Sequence, residues 1–266
     1  MLGNFHTHTT FDDGKSTPEE IVQEAISLGF DSLGFSGHGY TFCEQRYCMM
    51  DTKGFIQEIN RLKEVYGKQI QIYLGSEEDM SNPVFRGDYD YIISSNHYFL
   101  IDGVCRPIDS NFDYFSACMK EFGGDGLALA DSYYSRFCSY IRMRKPDIIG
   151  HFDLITKFEE ATPSQYFNNP KYIALANKWA EYAAQSGSLF EVNTGAITRG
   201  FRKTPYPHVE LLHKLKQLDA GMILSSDSHH KDTICYGFEE CKAILRDVGF
   251  RHVYFLWNGE FVKDPI

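Results

Sequence analysis

Short apolar runs alternate with longer segments in which apolar residues recur every three or four positions. The short runs are typical of buried strands, and the longer pattern is typical of amphipathic helices. A regular alternation of strand and helix predicts parallel strand pairing through right-handed crossovers. We predict eight strands, at residues 2–5, 32–36, 71–74, 89–94, 148–149, 188–192, 222–224 and 252–256.

The first helical segment shows clear start and stop signals. Thr17 is the predicted N-cap, Pro18 takes the first helical position, and Glu20 completes a capping box. Gly29 is the predicted end of the helix. The apolar face of this helix is predicted to contain Ile21, Val22, Ala25, Ile26 and Leu28. Further helices are predicted within residues 51–68, 111–122, 127–144, 170–188, 207–221 and 238–250.

Seven or eight strand–helix units in 266 residues favour a closed α/β barrel that forms one domain over residues 1–266. An open, doubly wound sheet is the alternative. Such a sheet usually carries a Gly-rich phosphate loop after its first strand, and the sequence HTHTTFDDG at residues 6–14 is not such a loop.

Composition narrows the possible partners and the expected location. The net charge is −10 and no run of Lys or Arg is present, which argues against a nucleic-acid partner. No apolar run approaches the roughly 18 residues of a membrane helix, so no membrane partner is expected. The seven cysteines are scattered, and the N-terminus does not resemble a signal peptide. We therefore predict reduced thiols and a cytoplasmic protein, and the oligomeric state stays open.

Possible metal ligands follow seven of the eight predicted strands. In a parallel barrel, these C-terminal strand ends form the active-site face. A single histidine is usually a surface residue or a satisfied buried one, but six of the ten histidines occupy such positions. The residues concerned are His6, His8, His38, Glu77, His97, His151, Glu191, Asn193, Asp227 and His229.

The spacing of two ligand pairs also favours a shared metal site. His6 and His8 are two residues apart, as are Asp227 and His229, so each pair points to one face of an extended strand end. Imidazole and carboxylate together suit Zn²⁺, Mn²⁺ or Fe²⁺. The pattern therefore predicts a divalent metal centre at the barrel mouth.

The motifs HTHTTFDDG, SGHG, GSEED, SSNHYF, GHFD and SSDSHH, in this order, resemble the polymerase and histidinol phosphatase (PHP) family. The resemblance covers essentially the whole chain. It implies a distorted (β/α)7 barrel, similar to a TIM barrel, with its active site at the C-terminal strand ends. It also implies two or three divalent metal ions.

The same resemblance implies a ligand set for three ions. Asp13 is preferred to Asp12 because it precedes Gly14, and Glu77 is preferred to Glu78 because of the GxE spacing. The implied ligands are His6, His8, Glu77 and Asp227 for the first ion, Glu77, His97 and His151 for the second, and Asp13, His38 and His229 for the third.

Within the family, the chain is most similar to bacterial histidinol-phosphate phosphatases. This implies hydrolysis of a small phosphate monoester, with L-histidinol phosphate as the best candidate, by a hydroxide that bridges two ions. Glu77, Asp227 and Arg199 are the implied catalytic residues. Two positions depart from the subgroup: Asn96 stands where Val is usual, and Thr156 stands where Arg is frequent.

A phosphate group needs cationic donors near these ligands. Arg199, Lys157 and His230 are the predicted substrate-binding residues, and Arg202 and Lys203 are weaker candidates. Each of these residues could equally be an ordinary surface group. Glu191, Asn193 and Asp153 are predicted to hydrogen-bond ligating histidines instead of binding metal.

Three other functions stay open. A related phosphoesterase would act on a nucleotide or on phosphotyrosine. A nuclease is a weaker alternative, because the chain is acidic and lacks polymerase domains. A non-catalytic metal-binding module would be expected to have lost some of the ligands, and the set is intact.

Overall fold

The computed structural model describes residues 1–160 and 166–266. Strands in this part of the chain are β1 (Gly3–Asn4), β2 (Ser32–Phe35), β3 (Gln71–Asp79), β4 (Tyr91–Ser95), β5 (Tyr98–Ile101), β6 (Val104–Pro107), β7 (Ile148–Ile149), β8 (Leu189–Asn193), β9 (Met222–Ser225), β10 (His252–Trp257) and β11 (Glu260–Pro265). Helices here are α1 (Pro18–Ser27), α2 (Thr52–Tyr66), α3 (Phe112–Glu121), α4 (Gly126–Arg144), α5 (Pro170–Ala184), α6 (Gly195–Thr198), α7 (Val209–Gln217) and α8 (Phe238–Val248).

The fold is an α/β fold built on a mostly parallel sheet. In the described residues, nine strands form one sheet in the order β1-β2-β3-β4-β7-β8-β9-β10-β11, and only the β10–β11 pair is antiparallel. β5 and β6 form a separate antiparallel hairpin. The eight predicted strands are all present, whereas β5, β6 and β11 were not predicted.

The chain segments after the first and ninth strands contact each other directly. The backbone N–H of His8 donates to Ser228 O at 2.8 Å, and Ser228 N donates to His6 O at 3.2 Å. This parallel bridge, between Thr7 and Ser228, lies beyond the ends of β1 and β9. It places His6 and His8 beside the segment that contains Asp227 and His229.

The first helix forms for the reasons that its sequence indicates. Thr17 and Glu20 make the reciprocal hydrogen bonds of a capping box, and Pro18 begins the helix. Gly29 follows the helix with a φ of +76°, a conformation that a residue with a Cβ adopts only with strain. Leu28 departs from the prediction: it is 44% exposed, because it lies at the C-cap, past the buried face.

A cluster of large apolar side chains lies beneath the predicted ligands. It takes residues from several strands and includes Phe5, Tyr91 and Ile223. Tyr91 Oη donates to the carbonyl oxygen of Phe5 at 2.6 Å. The Tyr91 side chain lies so close to Gly34 and Gly75 that an added Cβ would come within 2.3 Å of its hydroxyl or its ring, respectively. This packing fixes the backbone immediately before His6.

One disulfide corrects the prediction that all cysteines are free thiols. Cys43, in the loop after β2, is bonded to Cys105 of β6. The other five cysteines are free, as predicted, and four of these are buried. The prediction was wrong for this pair because sequence separation, here 62 residues, does not reveal which distant segments meet.

The cytoplasmic location stays a prediction. Among the helices of the described residues, none is both long and apolar enough to cross a membrane.

Candidate active site

Glu77 lies at the centre of the predicted ligands. β3 is longer than predicted and continues past Glu77, which pairs with Ile93 of β4 and is buried. Glu77 Oε2 lies 3.3 Å from His6 Nε2, 3.6 Å from His8 Nε2 and 2.8 Å from His38 Nδ1. Three histidines from two strand ends therefore converge on one carboxylate oxygen.

The other oxygen of the same carboxylate faces a second pair of histidines. Glu77 Oε1 lies 3.0 Å from His151 Nε2 and 3.4 Å from His97 Nε2. Ser95 Oγ donates to this oxygen at 2.6 Å and fixes the carboxylate plane. Glu77 thus stands between two histidine groups, as a bridging ligand requires.

Asp227 completes the first group from the opposite side. Its Oδ1 lies 3.2 Å from His8 Nε2 and 3.8 Å from His6 Nε2. Its backbone has a φ of 48°, in the left-handed region that non-glycine residues rarely adopt. Strained backbone of this kind is concentrated at functional sites, where surrounding contacts hold it.

Asp13 joins the remaining histidines. Its Oδ1 lies 3.2 Å from His229 Nε2 and 3.8 Å from His38 Nε2. The His8 ring stacks on the His229 ring, with centroids 4.1 Å apart. We call the nine residues that converge here the ligand cluster: His6, His8, Asp13, His38, Glu77, His97, His151, Asp227 and His229.

Several atoms of the ligand cluster are buried without a hydrogen-bond partner. They include His6 Nε2, His8 Nε2, Asp13 Oδ1 and Glu77 Oε2. Buried polar atoms in folded proteins nearly always have a partner, so four convergent exceptions indicate an ion-binding centre. The donor set fits divalent ions, and three groups have ligand atoms close enough to hold one. The groups are His8, Asp13, His38 and His229; His6, His8 and Glu77; and His38, Glu77 and His97.

Carboxylates outside the cluster hold its histidines in place. Glu191 Oε1 lies 2.6 Å from His6 Nδ1, and its Oε2 accepts from the backbone N–H of His151 at 2.8 Å. As predicted, Glu191 contacts a histidine of the ligand cluster, His6. Asn193 instead supports Glu191, because its Nδ2 donates to Glu191 Oε2 at 2.9 Å.

Two further orienting carboxylates were not predicted. Asp12 Oδ2 lies 2.6 Å from His8 Nδ1 and accepts from the backbone N–H of His38 at 2.9 Å. Asp79 Oδ2 accepts from the backbone N–H of His97 at 2.8 Å. Asp12 was weighed only as a rival metal ligand to Asp13. Its position four residues after His8 was the available signal.

Asp153 does not orient a histidine of the cluster, so that prediction is wrong. Its Oδ2 accepts from the backbone N–H of His208 at 2.9 Å and lies 3.8 Å from Arg202 Nη1. Arg202 is itself buried, donates to Thr156 Oγ1 at 2.9 Å and lies over the Tyr206 ring at 4.2 Å. Arg202 and Asp153 therefore support the fold beneath the site.

Glu78 and Glu77 are adjacent in sequence but face opposite sides of β3. Glu78 is buried and accepts from Arg144 Nε and Nη2, both at 2.8 Å. It also accepts from Ser94 Oγ at 2.7 Å and Tyr140 Oη at 2.8 Å. This engagement excludes it from the ligand cluster and agrees with the choice of Glu77.

A cavity of about 470 Å³ opens above the ligand cluster. Its far side, which we call the outer wall, consists of residues 41–48 and 98–110. The Cys43–Cys105 disulfide joins these two segments. This volume is in the range of small-molecule sites.

Two of the five predicted phosphate-binding residues, Arg199 and Lys157, line this cavity. Arg199 Nη2 donates to Asp227 Oδ2 at 2.8 Å, and Lys157 Nζ donates to the carbonyl oxygen of Asp109 at 2.6 Å. His230 and Lys203 are not among the described residues that line the cavity. His230 Nδ1 instead accepts from the backbone N–H of Asp232 at 3.3 Å.

Protons and cations compete for the atoms of the cluster. Burial alone would lower the pKa of His6, but neighbouring carboxylates, above all Glu191 and Glu77, outweigh it and raise that pKa well above its ordinary value. Asp12 acts in the same way on His8, whose pKa is raised to about 10. Burial would raise the pKa of Glu77, but the surrounding histidines hold it well below its usual range.

Two proteins with sequence similarity match this chain over most of its length. A protein of Schizosaccharomyces pombe named "Probable histidinol-phosphatase" is 27% identical over 264 residues, covering 91% of this chain and 84% of that protein. The "Histidinol-phosphatase" of Bacillus subtilis is 24% identical over 258 residues, covering 88% of this chain and 96% of that protein.

Solved structures show which fold the chain resembles, and a family model shows its family. A crystal structure of histidinol phosphate phosphatase from Lactococcus lactis, complexed with zinc, L-histidinol and phosphate, superposes with a TM-score of 0.72. It is 19% identical and covers 98% of each chain, which is a likeness of fold. The PHP domain model matches residues 4–195, a span that contains seven of the nine ligand-cluster residues. With this match over most of its length, the chain belongs to the PHP domain family.

Proposed function

We propose that this protein is a metal-dependent phosphatase that hydrolyses L-histidinol phosphate to L-histidinol and phosphate. The observation that carries the proposal is the convergence of nine metal-competent side chains, with Glu77 at their centre, at the base of a cavity lined by Arg199 and Lys157. The relatives named histidinol-phosphatase support the reaction, and the Lactococcus lactis complex with L-histidinol and phosphate supports the substrate.

The ligand cluster would hold two or three divalent ions. His6, His8, Glu77 and Asp227 would hold the first, Glu77, His97 and His151 the second, and Asp13, His38 and His229 the third. Zinc is the leading candidate, because the Lactococcus lactis protein binds it, and manganese or iron would fit the same donors. Divalent ions bound here would lower the pKa of water towards neutrality and offset the charge of the phosphoryl group.

The protein's own groups position the ester. Arg199 presents its guanidinium beside Asp227 and would bind a phosphate oxygen through its planar fork. Lys157 would supply a second cation from the loop after His151. Glu191 and Asp12 contact the Nδ1 atoms of His6 and His8, which would leave Nε2 of each ring to bind an ion.

The proposed ligands follow the C-terminal ends of parallel strands, which is where active-site residues lie in a parallel barrel. The bridge between Thr7 and Ser228 supports a sheet that curves until its first and ninth strands approach each other. We therefore propose a distorted seven-stranded barrel in which β10 and β11 extend the sheet beyond the site.

The test is phosphate release by the zinc-loaded protein from L-histidinol phosphate, a nucleoside monophosphate and phosphotyrosine. We expect kcat/KM to be at least about 100-fold higher for L-histidinol phosphate, since a site built to pair polar groups rejects esters that lack them. A preference for either of the other two esters would identify that ester as the substrate in place of L-histidinol phosphate. Full metal content without release from any ester would favour a non-catalytic metal-binding module instead.

A further inference from the structure

Lys157 and Asp109 form an ion pair inside the cavity. Lys157 Nζ donates to the carbonyl oxygen of Asp109 at 2.6 Å and lies 3.4 Å from its Oδ2. The ammonium is buried and lies 4.8 Å from the centre of the Phe201 ring. The Asp109 side chain is 23% exposed, and both residues line the cavity. A cation and an anion therefore lie side by side next to the proposed phosphate position.

The backbone fixes Asp109 close to the ligand cluster. The preceding residue, Ile108, donates its backbone N–H to the carbonyl oxygen of His97 at 3.0 Å. Burial would raise the pKa of Asp109, but the Lys157 ammonium, and after it His97, lower this pKa below its ordinary value. The carboxylate is thus ionised, with Lys157 on one side and the cavity on the other.

Two other carboxylates outside the ligand cluster line the same cavity, and each is already engaged. Glu44 accepts from Arg46 Nε at 2.9 Å and from Arg46 Nη2 at 2.7 Å, so both its oxygens are paired. Asp79 accepts from the backbone N–H of His97 and from Ser81. The 3.4 Å contact between Asp109 Oδ2 and Lys157 Nζ is longer than the hydrogen bonds that Glu44 and Asp79 accept.

The proposed substrate carries two charges of opposite sign at a short separation. Two carbon atoms lie between its ammonium nitrogen and its ester oxygen. A phosphate held over the ligand cluster needs cationic donors, and an ammonium beside it needs an anionic acceptor. The Lys157–Asp109 pair presents both charges next to each other.

We propose that Asp109 determines specificity by accepting a hydrogen bond from the ammonium group of a 2-aminoalkyl phosphate, while Lys157 faces its phosphate. The inference rests on the proposed function and deepens it. It defines the substrate class as phosphate monoesters with an amino group on the carbon next to the ester-bearing carbon.

The experiment compares L-histidinol phosphate with its deamino analogue, 3-(imidazol-4-yl)propyl phosphate, using the zinc-loaded protein. Wild type should have a kcat/KM about 10- to 100-fold higher for the amine-bearing ester, as expected for a charge-assisted hydrogen bond. Asp109→Asn should remove this preference by raising KM for L-histidinol phosphate much more than KM for the deamino ester. Glu44→Gln is the matched control in the same wall and should keep the preference.

Product binding provides a readout that does not depend on turnover. The inhibition constant of L-histidinol should rise in Asp109→Asn as much as KM does, while that of 3-(imidazol-4-yl)propanol stays constant. If Asp109→Asn does not fold, Asp109→Ser is measured in the same way, since a small hydroxyl also removes the charge.

The outcomes separate the inference from the proposed function. Equal hydrolysis of both esters by wild type, or an equal loss on both in the variant, overturns the role of Asp109 and leaves the phosphatase intact. The absence of release from either ester by wild type overturns the proposed function itself, and the ammonium inference falls with it.

Discussion

The ligand cluster and the outer wall are built in different ways although they face the same cavity. Cluster residues lie at or just after strands of the sheet, and Glu191, Asp12 and Asp79 hold several of them. The outer wall consists of a loop and a hairpin joined by one disulfide, and it has exposed rings such as Tyr47. The difference indicates that the proposed metal ligands are held by rigid strands, whereas residues that select the substrate lie on loops. Substitutions in the cluster should therefore change metal content and turnover, and substitutions in the wall should change KM.

The largest effect is expected for Glu77→Gln. An amide cannot bridge two cations as a carboxylate does, so the protein should lose bound metal and at least about 1,000-fold in kcat. Metal content by elemental analysis and phosphate release under saturating substrate measure the two losses. Retained turnover at full metal content would contradict the central role of Glu77.

Glu78→Gln is the matched control for this substitution. It removes the charge that pairs with Arg144 on the other side of β3. We expect thermal unfolding to show a loss of about 1–3 kcal/mol in stability, because a buried charged hydrogen-bond network is weakened. Metal content should remain full. A loss of metal here would mean that the two faces of β3 are not independent.

A smaller effect is expected when an orienting residue is changed. Asp12→Asn should weaken zinc binding about 10- to 100-fold, as is usual when a carboxylate that supports a ligating histidine is lost. Competition with a chelator of known affinity gives the constant, and far-ultraviolet circular dichroism checks the fold. If zinc affinity is unchanged, the 2.6 Å contact between Asp12 and His8 does not position the ring.

Metal affinity should also rise with pH. The pKa of His8 is raised to about 10, and that of His6 is raised as well, so both rings hold protons at neutral pH in the metal-free protein. Metal must displace these protons, so the zinc constant should tighten up to about tenfold per pH unit for each proton released, up to the folded pKa. Calorimetry in two buffers with different ionisation enthalpies counts the protons. Zinc binding without proton release would show that the rings are neutral.

The smallest effect is expected in the outer wall. Tyr47 lines the cavity, and Tyr47→Ala should raise KM for L-histidinol phosphate about three- to tenfold through lost aromatic contact, with kcat and metal content unchanged. Tyr40→Ala is the control, because Tyr40 is as exposed as Tyr47 but is not among the described cavity-lining residues. A loss of metal in Tyr47→Ala would remove the distinction between wall and cluster.

Much of the ligand cluster could be predicted because most of its residues follow from short, local sequence patterns. A strand end followed within two residues by a histidine, as at His97 and His151, places a ligand on the active-site face whatever the rest of the fold does. The same rule failed for Asp153 for a visible reason. The chain turns into a 3₁₀ helix at Leu154–Thr156, so the residue two positions after His151 does not stay on its face.

The outer wall could not be predicted in this way. The β5–β6 hairpin was missed although its sequence carries a signal: the apolar run Tyr98–Ile101 is followed by Asp102 and Gly103, a pair favoured in two-residue hairpin turns. The pairing of Cys43 with Cys105 depends on how the loop and the hairpin meet in space. The role of Lys157 depended likewise on Asp109, a residue whose sequence context indicated nothing.

The Cys43–Cys105 disulfide links the two segments of the outer wall at the cavity entrance, and small thiols could reduce it. Its two sides belong to separate excursions of the chain, one after β2 and one after β4. Reduction of the disulfide would remove the covalent link between these two segments, while the paired strands of the main sheet would keep their structure. At low ester concentration, the rate of hydrolysis would then depend on the ratio of reduced to oxidised thiols in the surroundings. At saturating ester concentration it would not.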